Sequence, residues 1–174
     1  MLNRILVPTD GSANAQKAER LGAAIAARFG ARLLLAHAVV EEPTEHEVSE
    51  IGRVMEAIGP QPLAPLHMDN LVEQVARGTQ AGGIQSKRDA MRELGAQMLK
   101  RAETRARDAG AEDIEQHILQ GHAADAIVEL ARQEEADLIV MGTRGIGGLR
   151  GRLMGSVSQQ VMKDAPQSTL VVKE

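Results

Sequence analysis

The chain has 174 residues, 43% hydrophobic and 25% charged, with a formal net charge of −4. This is the profile of a single globular domain able to bury a core, not of a disordered chain. It has no cysteine and one aromatic residue, Phe29, which excludes disulfides, thiolate metal sites and thiol catalysis and leaves no aromatic platform for stacking single-stranded nucleic acid.

The negative charge also opposes phosphate backbones, so nucleic-acid binding is not expected. No apolar run reaches the ~20 residues that span a bilayer. Met1-Leu2-Asn3-Arg4 leads into a strand-like run rather than a signal peptide, and the expectation is a cytoplasmic protein with no membrane partner.

Ile5-Leu6-Val7 is the first of four short continuous apolar runs, the pattern of parallel strands covered on both faces. Leu21, Ile25 and Phe29 then recur every four residues, and Gly30 stands where a helix C-cap belongs, so strand one feeds a helix. Leu33-Leu34-Leu35-Ala36 is the second strand. Met91, Leu94, Met98, Ala102 and Ala106 form the stripe of a long amphipathic helix that stops at Gly110. Around Ile114-Glu115-Gln116-His117-Ile118 the pattern alternates, which suits a less buried edge strand.

Ala123, Ile127, Leu130 and Ala131 outline a third helix entered after Gly121. Leu138-Ile139-Val140-Met141 is a strand, Val157, Val161 and Met162 suggest a helix before Ala165-Pro166, and Leu170-Val171-Val172 closes the series. The stretch from 41 to 85 is too long for a plain loop. Val48, Ile51, Met55 and Ile58 are spaced like a helix face, Gly59-Pro60-Gln61-Pro62-Leu63-Ala64-Pro65 then breaks the chain, and Gly78-Thr79-Gln80-Ala81-Gly82-Gly83 follows as a flexible joint, as in a mobile flap.

The expected fold is therefore α/β: an open, doubly wound five-stranded parallel sheet with helices on both faces and an extended segment after strand two. In such sheets ligands bind beyond the carboxyl ends of the strands, at the topological switch point. One strand end stands out: Met141-Gly142-Thr143-Arg144-Gly145 opens a stretch that runs through Arg150 and Arg152 to Gly155-Ser156 and a helix. Glycines let backbone N–H groups converge on an anion, and a helix N-terminus adds partial positive charge. With no acidic residue between Thr143 and Ser156, a polyanionic ligand is the natural inference. On glycine content alone, a plain surface turn is the favoured reading.

The order strand, Gly142-x2-Gly145-x9-Gly155-Ser156, helix resembles the ATP-binding signature of the universal stress protein family. The likeness extends from Asn3-Arg4-Ile5-Leu6-Val7-Pro8-Thr9-Asp10-Gly11-Ser12 to Pro166-Gln167-Ser168-Thr169-Leu170-Val171-Val172, with a poor match over 41–85. It implies one domain over 1–174 with an adenine nucleotide α-hydrolase-like, Rossmann-like fold. Gly142, Thr143, Arg144, Gly145, Gly155, Ser156 and Val157 would hold ribose and phosphates, and Pro8, Thr9, Asp10, Ala38 and Met141 would surround adenine and ribose. ATP with Mg²⁺ is the implied ligand, and a homodimer through strand 169–172 the implied assembly.

Asp10-Gly11-Ser12 serves an Asx turn or helix cap equally well. His37 reads as a packed structural histidine, and His46, His67, His117 and His122 show no metal-ligand spacing, so neither a catalytic residue nor a protein-borne metal is assigned. The loop lacks the Gly-Lys-Ser/Thr ending that serves phosphates and magnesium in P-loop enzymes, so hydrolysis is expected to be slow at most. A receiver domain would need a phosphorylatable aspartate after strand three, where Gln120-Gly121 stands; a flavodoxin would carry its phosphate loop after strand one. The competing expectation is an interaction module with a vestigial loop and a protein partner.

Overall fold

The computed structural model describes residues 1–39, 83–143, 145 and 154–173. In chain order the described elements are β1 (Arg4–Pro8), α1 (Ala13–Phe29), β2 (Arg32–Val39), α2 (Gly83–Asp108), β3 (Ile114–Gln120), α3 (Ala123–Gln133), β4 (Leu138–Gly142), α4 (Ser156–Asp164) and β5 (Ser168–Val172). Of the expected 41–85 flap only Gly83 to Gln85 are described, as the start of α2; the rest lies outside the described residues.

The strands form one sheet in the order β3-β2-β1-β4-β5, every pair parallel. Alternation along each strand builds two cores. Ile5, Val7, Leu33, Leu35 and Val140 point to one face, where Ala18, Ala23 and Ala26 of α1 and Leu99, Ala102 and Ala106 of α2 cover them. Leu6, Leu34, Ala36, Ile139 and Met141 point to the other, under Ala124, Ile127, Val128 and Leu130 of α3 and Val161 of α4. A strand covered on both faces has no polar side, which is why these runs are continuously apolar.

The edge strand β3 alternates, but the half-buried alternate positions are Glu115, His117 and Leu119 rather than an Ile114–Ile118 face. Ile114 packs on the first core and Leu119 on the second, while Ile118 stands 40% exposed.

Helix α1 corrects the sequence reading. Leu21 and Phe29 are 40% and 57% exposed, and the face against the sheet is Ala15, Ala18, Gly22, Ala23 and Ala26. A Cβ on Gly22 would stand 2.5 Å from Val7 Cγ2, so the helix lies too close to the sheet for large side chains beneath it. Gly30 adopts the left-handed conformation, φ 64°, that ends the helix. In α4 likewise Val161 is buried and Met162 faces outward.

Candidate functional site

Chain directions diverge between β1 and β4: β1 continues to β2 on one side, and β4 to β5 on the other. Their carboxyl ends therefore leave a crevice at the switch point.

On the β1 side, Pro8 and Thr9 are buried and Asp10 half-buried. The Thr9 N–H donates to the Ala36 carbonyl at 2.8 Å, prolonging the strand pairing by one residue. The Thr9 hydroxyl turns inward and donates to Glu19 Oε1 at 2.5 Å, and it accepts the Gly11 N–H at 3.1 Å. Asp10 Oδ1 accepts the Ser12 N–H at 3.0 Å, and Ser12 caps α1 by accepting the Ala15 N–H at 3.3 Å. The Asx turn and the cap read from the sequence are both formed, and Asp10 Oδ2 is turned toward Gly145.

Glu19 was not foreseen. It is fully buried, and its second oxygen takes the Arg105 guanidinium of α2 at 2.5 Å. The signal was a lone carboxylate on the small-residue face of α1, where a buried charge requires a partner. Beside it, His37 Nδ1 lies 2.8 Å from the Thr9 carbonyl, so that nitrogen carries the proton and donates. Burial pushes the His37 pKa below its ordinary value, opposed by the Thr9 carbonyl and the charge of Asp10. Gly95 of α2 packs over the ring, where a Cβ would come within 2.8 Å of Cδ2.

On the β4 side, Gly142 runs against the start of α1: a Cβ there would lie 2.9 Å from the Asn14 carbonyl carbon and 3.0 Å from the Ala15 nitrogen. Thr143 is buried; its N–H donates to the Val172 carbonyl at 3.0 Å, and its carbonyl accepts the Gly155 N–H at 2.7 Å and the Ser158 hydroxyl at 2.9 Å. This staple ties the end of β4 to the start of α4.

Gly155 is the N-cap of α4 without a side-chain cap, and the helix's first turn carries no acidic residue. The first N–H groups of α4 thus lack intrahelical acceptors. Ser156 is exposed there and Val157 half-buried on the second core.

The structure thus brings Asp10, Gly142, Thr143, Gly145 and the α4 start to one end of the sheet. Ala38 lies near the end of β2, paired with Leu119, and Met141 is buried in the second core. Arg144, Arg150 and Arg152 lie outside the described residues.

An open parallel sheet wound on both faces, with glycine-lined backbone meeting at its switch point, defines a doubly wound α/β protein of the Rossmann-like class. The universal stress protein family model matches residues 1–173, and the chain belongs to that family.

A universal stress protein of Thermus aquaticus, encoded 3′ of a QAH/OAS sulfhydrylase gene, is 32% identical over 173 residues, covering 99% of this chain and 100% of the relative. One from Methanocaldococcus jannaschii is 42% identical over 86 residues, covering 49% and 50%. Among solved structures, a universal stress protein in complex with cAMP aligns with TM-score 0.59 and 28% identity over 98% of this chain and 95% of its own. A universal stress protein A from Lactobacillus plantarum aligns with TM-score 0.68 and 22% identity over 98% and 97%, a likeness of fold.

Proposed function

We propose that the switch-point crevice binds an adenine nucleotide, ATP with Mg²⁺, and that the chain acts as a nucleotide-dependent regulatory module with slow hydrolysis at most. The observation that carries this reading is the close approach of Asp10 to Gly145 at the end of the sheet where Thr143 ties down the uncapped start of α4. Gly142, Gly145 and Gly155 supply backbone without Cβ atoms, and the α4 amides at Ser156 and Val157 supply donors for phosphate oxygens. Thr143 holds the loop's base, and Arg144 adds positive charge by its place in sequence. Pro8, Thr9, Ala38 and Met141 contribute backbone and apolar wall near the base, with Asp10 accepting from ribose hydroxyls or the adenine amine.

Mg²⁺ is commonly held by one or two carboxylates together with substrate phosphates. Asp10 would supply that carboxylate, since Glu19 is turned away to Arg105. The solved relative bound to cAMP supports the adenine preference.

A second copy fits the edge strand β5, where Leu170 is 37% exposed and an unpaired strand edge favours pairing with another; this is the homodimer through 169–172.

Equilibrium dialysis against ATP and Mg²⁺, read at 260 nm where a chain without Trp or Tyr absorbs little, tests the reading. Saturable, near-stoichiometric uptake that is lost in Gly155→Val supports it. No uptake of ATP, ADP, AMP or cAMP overturns it and leaves a protein-interaction module.

A further inference from the structure

At the opposite edge of the sheet, we propose that Glu115, His117 and Glu134 form a binding site for a divalent transition ion, Zn²⁺ by the chemistry of the donors. Glu115 and His117 are two apart on β3 and share a face, which alternation along a strand requires. Glu134 follows the end of α3. One ligand atom from each of the three lies within 4.8 Å of the others, and all three residues are half-buried.

The observation that points to an ion is the imidazole. His117 Nε2 is sealed from solvent and has no hydrogen-bond partner among the described residues. A buried polar atom left unsatisfied in a native fold calls for an explanation, and an ion or water is the usual one. Glu115 Oε1 stands 3.4 Å from this nitrogen, beyond the usual 2.7–3.2 Å of an N–H···O bond. Two donors at ~2.0–2.1 Å around one tetrahedral Zn²⁺ are held about 3.3 Å apart. The separation is thus that of two ligands sharing a cation.

Neighbouring groups fit the role. Arg32 Nη1 takes the other carboxylate oxygen of Glu115 at 3.4 Å, orienting Oε1 toward His117. Arg4 Nη1 donates to the Glu134 carbonyl at 2.7 Å, fixing the backbone from which that side chain reaches. Asp113 pairs with Arg32, Glu135 pairs with Arg4, and Asp137 accepts the Arg4 backbone N–H. Among the described residues in these pairs carboxylates outnumber guanidinium groups, and the local field favours a cation. Imidazole with carboxylates suits Zn²⁺ better than Mg²⁺ or Ca²⁺, which prefer all-oxygen sets. Water would complete the coordination.

The test is isothermal titration of the full chain with ZnCl₂ in a non-chelating buffer, with circular dichroism confirming that each variant is folded. His117→Gln and Glu134→Gln are expected to weaken this site at least tenfold, while His122→Gln, which removes the exposed His122–Asp125 pair, leaves it intact. In the wild type, Zn²⁺ should shift the His117 Nε2 resonance in ¹⁵N spectra, a readout independent of any variant's folding. Absence of saturable uptake, unchanged affinity in both His117→Gln and Glu134→Gln, or an unmoved His117 resonance would overturn the site.

Discussion

Gly145 stands so close to Asp10 that a Cβ on it would collide with Oδ2 and lie 3.4 Å from Cγ. The two residues are 135 positions apart by their numbers, and they bring the turn after β1 against the loop after β4. A carboxylate and a side-chain-free backbone in contact make one wall of the crevice, and a side chain at 145 would have to displace Asp10.

Gly145→Val is therefore expected to displace Asp10 and to weaken ATP binding at least tenfold. Gly145 is exposed, so thermal stability should change little, as is usual for surface substitutions. Dialysis and a melting curve on the same preparation check both halves. Wild-type affinity in a folded Gly145→Val would remove this wall from the site.

The buried pair beneath the turn predicts a different pattern. Glu19 has no exposure and Arg105 little, and the carboxylate also accepts the Thr9 hydroxyl. Arg105→Met should cost about 3–5 kcal/mol, because it strands a buried charge. Adding Glu19→Leu should recover much of that loss, since a well-packed apolar pair can replace a buried ion pair at little net cost. Urea denaturation of the two single variants and the double variant measures the coupling; additive losses would show that the pair does not act as a unit.

Close packing of α1 supplies a third expectation. With its Cβ only 2.5 Å from Val7 Cγ2, Gly22→Val overpacks the first core and should destabilise by roughly 1–3 kcal/mol or more. Leu21→Gln, on the exposed neighbouring position, should fall within about 0.5 kcal/mol of wild type. Similar losses at both positions would mean that α1 does not seat on the sheet through Gly22.

The contrast between Leu21 and Gly22 also marks where the sequence was legible. The strands could be read because a strand covered on both faces carries no polar residue, as Leu33 to Ala36 illustrate. The alternation at β3 likewise announced an edge. The packing face of α1 could not be read from hydrophobicity, because close approach selected alanine and glycine over Leu21 and Phe29.

At the crevice, Asp10 and Gly145 were legible as individual candidates, whereas their contact depends on the sheet order β1-β4. Glu19 meets Arg105, and Glu134 meets the Glu115–His117 pair of β3, only through the tertiary fold. No local spacing encodes them.

His37 gives the protein a pH dependence whose direction is set by burial. Its folded-state pKa is lowered from the ordinary 6.5, so the unfolded chain takes up a proton at a higher pH than the native state does. Wherever the unfolded state binds more protons, stability falls as pH falls. The contribution is fully present above about pH 6.5; it declines as pH drops below that value and levels off only beneath the lowered folded pKa. The Thr9 carbonyl and Asp10 favour the charged ring and limit the shift, but desolvation is the larger effect. Urea midpoints measured from pH 7.5 to 5.5 should fall in the wild type. In His37→Gln, which keeps a donor near the Thr9 carbonyl without a titrating ring, the slope over this interval should flatten. An equal slope in the variant would assign the acid sensitivity to other groups and remove His37 as its source.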